Sequence, residues 1–182
     1  MIAIVRNPID RAWSSYFYFH DRQPVSAASF EVDTMDLIDQ FNRCLEKESL
    51  RYCCAHRDDE QFRRRLCLKE SIYICYLVDW KVKFKDNLFL VNLDEYKADQ
   101  MGTLKQLYEW LGVRTDIDFS GLEKTFSEAK NVGKVGANEV MREKSRKRLN
   151  DFFQPYNNML AEYFKNDNFK SWNIMPSHYD EE

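Results

Sequence analysis

The segment Arg6-Asn7-Pro8-Ile9-Asp10-Arg11-Ala12-Trp13-Ser14-Ser15-Tyr16 carries the residues best suited to chemistry. Arg6 follows an apolar run of strand length, Ile2-Ala3-Ile4-Val5, while Asn7 and Pro8 are the residue types of a helix cap and a first helical position. A strand that ends in arginine and passes at once into a helix sets a guanidinium beside free N–H groups and the positive end of the helix dipole. Open α/β sheets bind ligands at this carboxyl end of their strands. A phosphate suits such a place, because a guanidinium grips it through paired, charge-assisted hydrogen bonds. Arg11 and Ser14, at i and i+3, share a helix face and can converge on one anion. The same residues also admit a purely structural reading, with Arg6 in an ion pair and Ser14 bonded back to the Asp10 carbonyl. The residue types leave both open.

A second candidate is the loop Lys130-Asn131-Val132-Gly133-Lys134-Val135-Gly136. Its glycines allow backbone N–H groups to face an anion, with Lys134 supplying charge; the alternative is a plain surface loop. Basic residues also cluster at Arg63-Arg64-Arg65 and from Arg142 to Arg148, as solvated helix faces or as sites for an anionic ligand. His20, His56 and His178 are scattered and the cysteines form no C-x-x-C pair, so no metal site is expected. Cys75 lies in an apolar helical run and reads as a core thiol. Cys44 with Cys53 or Cys54 closes a short loop that suits an oxidising compartment, and an odd cysteine count leaves at least one thiol free.

The elements that must position these residues alternate between strand and helix patterns. The chain has 182 residues, 44% of them apolar and 15% aromatic, enough to build a core rather than a disordered coil. A net charge of −3 argues against a general nucleic-acid binder. The longest apolar run, Ile72 to Val78, falls far short of the ~20 residues that span a bilayer. After the helix at Pro8, Asp33 or Thr34 is expected to cap an amphipathic helix carrying Leu37, Ile38, Phe41 and Leu45. A long helix is expected from about Leu66 to Phe84, then a buried strand from Leu88 to Leu93. A helix Met101–Leu111 stops at Gly112, a basic helix covers about Glu139–Phe153, and Pro155 begins a last helix through Phe164. The fold class is α/β, a parallel sheet flanked by helices. Residues 1–175 are read as one domain and 176–182 as a frayed tail.

R-N-P-x-x-R-x-x-S-x-Y after an apolar strand resembles the 3′-phosphate-binding element of sulfotransferases that use 3′-phosphoadenosine 5′-phosphosulfate (PAPS). Other segments follow in order. Ser71 to Trp80 resembles that family's G-x-Y-x-x-x-L-x-x-W helix, with serine where glycine is common. Leu88 to Tyr96 is similar to its strand and acidic turn, and Phe152 to Leu160 to its closing F-Y-x-P-[FY]-N-x-x-L, with Trp172 beyond. The resemblance covers roughly residues 2–172. It is nearest in pattern to the branch that adds a 6-O-sulfate to N-acetylgalactosamine 4-sulfate in chondroitin.

The resemblance implies a P-loop-NTPase-like sulfotransferase fold and PAPS as co-substrate without a metal. It makes Arg6 and Ser14 contacts of the 3′-phosphate, and adds Lys134 and Gly136 from the loop, where Val135 and Gly136 depart from the usual K-G-R ending. The implied acceptor is an anionic glycosaminoglycan, and the implied location is the Golgi lumen. In that family the 5′-phosphosulfate loop and the catalytic base lie upstream of the Arg/Ser motif. No base is therefore assigned, His20 reading as a surface residue. The chain is expected to be an N-terminally truncated fragment, with a membrane anchor only in a full-length form. The competing expectations are a catalytically inactive nucleotide-binding remnant and a P-loop nucleotide kinase.

Overall fold

The computed structural model describes residues 1–19, 25–56, 66–115 and 139–174. Their elements in chain order are β1 (Ile2–Val5), α1 (Pro8–Phe19), α2 (Ala27–Leu45), α3 (Leu50–Ala55), α4 (Ile74–Phe84), β2 (Phe89–Asn92), α5 (Leu93–Ala98), α6 (Gln100–Trp110) and α7 (Glu143–Phe164). Single 3₁₀ turns lie at Lys69–Ser71 and Lys85–Asn87, and a longer one spans Asp167–Asn173. The chain divides into two compact units, Met1–Asn7 with Trp80–Val132, and Pro8–Asp79 with Gly133–Glu182.

In the first unit β1 and β2 pair in parallel, Ile2 opposite Phe89 through Val5 opposite Asn92. Both apolar runs are strands, as expected, but β1 is not buried on both faces. Ala3 and Val5 point inward while Ile2 and Ile4 are exposed, the two-residue period of a pleat, which an unbroken apolar run conceals. Asn92 ends β2 and caps α5, its Oδ1 accepting from the Asp94 N–H at 3.0 Å. Asp99 caps α6 the same way, accepting from the Gly102 N–H at 2.8 Å. At the other end Gly112 adopts φ +68°, with Gly112 N–H donating to Glu109 and Val113 N–H to Tyr108. This is a Schellman stop, at the glycine where the sequence places one. The Trp110 ring packs 5.4 Å from Phe89 and its indole N–H donates to the Asp86 carbonyl.

In the second unit α1, α2 and α7 share a core. Trp13 and Tyr16 of α1 meet Phe30 of α2 edge-on at 4.8 and 5.3 Å, and Phe41 of α2 meets Phe152 of α7 at 5.4 Å. Helix α2 begins seven residues earlier than Thr34, behind a capping box. Ser26 Oγ accepts from the Ser29 N–H at 3.2 Å, and Ser29 Oγ accepts from the Ser26 N–H at 2.9 Å. Thr34 is buried within the helix instead, and Asp33 accepts from the Tyr16 hydroxyl at 2.9 Å.

The two helices expected around Pro155 are one, α7, with the proline inside. Asp151, whose carbonyl loses its donor, and Pro155 are both exposed, so that carbonyl is open to solvent, while the buried face of Leu149, Phe152, Phe153 and Leu160 runs on unbroken. Asn157 lies inside α7. It is buried and donates to Asn173 at 3.0 Å, and Asn173 donates to Asn158 at 3.0 Å, fastening the segment that carries buried Phe169 and Trp172.

The long helix expected from Leu66 is interrupted. Cys67 takes φ 49°, a 3₁₀ turn follows, and α4 starts only at Ile74. Within it Ile74 and Leu77 are the buried residues, Tyr76 is half-buried and Trp80 is exposed, while Tyr73 lies half-buried just before the helix. Cys75 is not a core thiol. It is joined to Cys54, while Cys44 is joined to Cys53 with Cα atoms 5.9 Å apart, and Cys67 is free.

Candidate functional site

β1 ends at Val5, and Arg6 and Asn7 lead directly into α1 at Pro8, as the strand-to-helix reading requires. Arg6 is half-buried at the carboxyl end of β1, in the first unit. On β2 the neighbouring strand end is Asn92, the partner of Val5, which turns into α5 with Asp94 and Glu95 in its first turn. Ser14 is exposed on α1, in the second unit. Lys134 and Gly136 lie outside the described residues, as do His20, Arg63, Arg64 and Arg65.

Arg11 does something the sequence reading did not give it. Its Nη1 donates to Ser71 Oγ at 2.9 Å, and its guanidinium carbon lies 5.7 Å from the Tyr73 ring centroid. The hydroxyl that backs onto the α1 backbone is that of Ser15, 3.0 Å from the Ala12 carbonyl and 3.1 Å from that of Leu66. Sharing a face with Ser14 at i and i+3 therefore does not show which neighbour Arg11 meets. Only the folded segment 66–73 reveals it.

The cations between Arg142 and Arg148 belong mainly to helix docking. Arg142 and Lys144 approach Glu31 at 3.3 and 3.5 Å, Arg148 approaches Asp39 at 2.9 Å, and Arg146 approaches Asp10 at 3.3 Å. A shallow groove of about 310 Å³ beside α7 is lined by Met35, Asp39, Lys144, Lys147, Arg148 and Asp151, a nearly balanced set of charges with little pull on a polyanion. Among the described residues no group of three or more His, Cys, Asp or Glu side chains is placed to hold a metal ion, and no helix is long and apolar enough to cross a membrane.

Burial raises the Tyr76 phenol above its ordinary value; Glu70 adds to the rise and Arg11 opposes it. Tyr76 donates to the Cys54 carbonyl at 3.0 Å. Arg11, Glu70, Ser71, Tyr73 and Tyr76 thus form one polar cluster where the turn at 69–73 meets α1.

Residues 1–172 match the sulfotransferase domain. Carbohydrate sulfotransferase 15 of Homo sapiens is 25% identical over 172 residues, covering 93% of this chain and 30% of that protein. The Rattus norvegicus protein of the same name is 24% identical over the same shares. The counterpart from Nototodarus sloanii is 25% identical over 143 residues, 75% of this chain and 87% of that one. The chain thus spans under a third of the length of these mammalian relatives. A crystal structure of a sulfotransferase from Alicyclobacillus acidocaldarius superposes with a TM-score of 0.60 at 20% identity, over 95% of this chain and 57% of that one. The α/β sulfotransferase fold is shared with it.

Proposed function

This chain belongs to the sulfotransferase domain family, and from that membership we propose that the protein moves a sulfuryl group from PAPS to a hydroxyl of a glycosaminoglycan of chondroitin or dermatan type. The acceptor class is supported by the relatives' name, carbohydrate sulfotransferase 15. The observation that carries the donor reading is the junction at Arg6. A parallel strand ends there, a helix N-terminus follows two residues on, and Ser14 stands exposed on that helix. Arg6 and Ser14 are assigned to the 3′-phosphate, with Lys134 and Gly136 as further donor contacts. Residues 1–175 are assigned to the sulfotransferase domain, and the Golgi lumen is the proposed location.

The acceptor oxygen attacks sulfur as the bond from sulfur to the 5′-phosphate oxygen breaks, releasing adenosine 3′,5′-bisphosphate, and a general base takes the hydroxyl proton. Cationic groups stabilise the charge that grows on the leaving bisphosphate. Arg6 and Ser14 anchor the donor and leave the proton transfer to other groups.

Incubating the protein with sulfur-labelled PAPS and chondroitin tests this. Label should pass to the glycan as adenosine 3′,5′-bisphosphate accumulates. Bisphosphate binding with no transfer to any glycan would contradict it.

A further inference from the structure

We infer that Arg11 is a positioning residue for the donor site, acting through Ser71, and does not itself grip the phosphate. The inference rests on the reading of Ser14 as a 3′-phosphate contact. Arg11 and Ser15 lie one turn apart on α1 and both reach the segment 66–73, Arg11 through Ser71 Oγ at 2.9 Å and Ser15 through the Leu66 carbonyl at 3.1 Å. Ser71 is buried and its hydroxyl donates to the Cys67 carbonyl at 2.6 Å, so its oxygen is both acceptor and donor. Tyr73 supplies a ring beside the guanidinium.

Two attachments along one stripe fix the rotation of a helix about its axis. Ser14 lies about 60° around α1 from Arg11 and about 100° from Ser15 at 3.6 residues per turn. The stitched stripe therefore sets the direction in which the Ser14 hydroxyl leaves the helix. The segment it grips is not slack. Cys67, between the two attachment points, holds a left-handed φ of 49°, a conformation disfavoured for a residue with a Cβ and kept only where its surroundings impose it. Beyond the turn, Tyr76 donates to the Cys54 carbonyl, and the Cys54–Cys75 disulfide ties the start of α4 to α3. The phosphate contact on α1 is thus braced by a turn secured at its far end.

The test uses titration calorimetry with two probes, adenosine 3′,5′-bisphosphate and adenosine 5′-monophosphate. Their affinity ratio isolates recognition of the 3′-phosphate, and a general loss of folded protein does not change it. R6A and S14A are the references and should abolish most of the preference. S71G should lower it about tenfold, since a hydrogen bond to a charged group is lost. R11A should lower it to a similar degree, and R11A/S71G no further than the worse single variant. S71T, which keeps the hydroxyl, should retain the preference, and S71G with S71T suffice if R11A does not fold. Preference lost in R11A but intact in S71G, or additive losses in the double variant, would show direct contact and overturn the inference. Preference intact in R6A and S14A would overturn the donor-site reading itself.

Discussion

At the residue scale, single side chains are held for reasons that spacing alone does not disclose. Gly102 is an example. A Cβ there would meet the Asp99 carboxylate that caps α6 through the Gly102 N–H. G102A should therefore displace the cap, a loss of about 1 kcal/mol that cancels alanine's advantage as a helix former, so urea denaturation should show no net gain in stability. Tyr76 offers a pH test. Its phenol is raised above 10.0 in the fold, mainly by burial, so the protonated form is favoured there. That contribution is complete below the unfolded value and disappears as pH climbs through the folded one. Denaturation midpoints should fall above pH 10, less so in Y76F. Because Arg11 pulls the other way, R11A should push Tyr76 ionisation higher still in an ultraviolet titration. The strand that ends before Arg6 and the helix that carries Ser14 are readable because a strand and a helix start are local signals. The partners of Arg11, Arg142 and Arg148 were not, because each lies far along the chain.

At the element scale, most helices and both strands among the described residues follow from short-range pattern, and the departures from it sit mainly at helix boundaries. Gly112 closes α6 where a glycine was seen, and with φ +68° and open space around a would-be Cβ, G112A should cost about 1 kcal/mol from backbone strain alone. Asp33 and Thr34 look like caps for α2, whereas Ser26 and Ser29 form the capping box that starts it. The rule that proline breaks helices marks Pro155 as a boundary. Tertiary burial on the opposite face of α7 overrides that rule. P155A restores the donor to the Asp151 carbonyl and should raise the thermal midpoint, by about 1–3 kcal/mol in stability. A lower midpoint would mean that proline's stiffness in the unfolded chain outweighs the missing bond.

At the scale of the whole molecule, the fold class was legible from the order of elements, while the covalent framework was legible only in part. Cys44 pairs with Cys53, one of the two partners its spacing allows, whereas the Cys54–Cys75 pair is hidden because Cys75 sits in an apolar run that looks like core. Peptide mapping should recover both linkages, with Cys67 alone open to alkylation, and replacing both Cys54 and Cys75 by serine should cost about 3 kcal/mol for a loop of this size. The proposed donor recognition is electrostatic, with the Arg6 guanidinium after β1 and the Ser14 hydroxyl on α1 each assigned to a phosphomonoester. It is tested most directly by the affinity for adenosine 3′,5′-bisphosphate relative to adenosine 5′-monophosphate in the parent protein, R6A and S14A. The expected result is a strong preference in the parent that falls at least about tenfold in each variant, the cost of losing a charge-assisted hydrogen bond. Equal preference in all three proteins would contradict it.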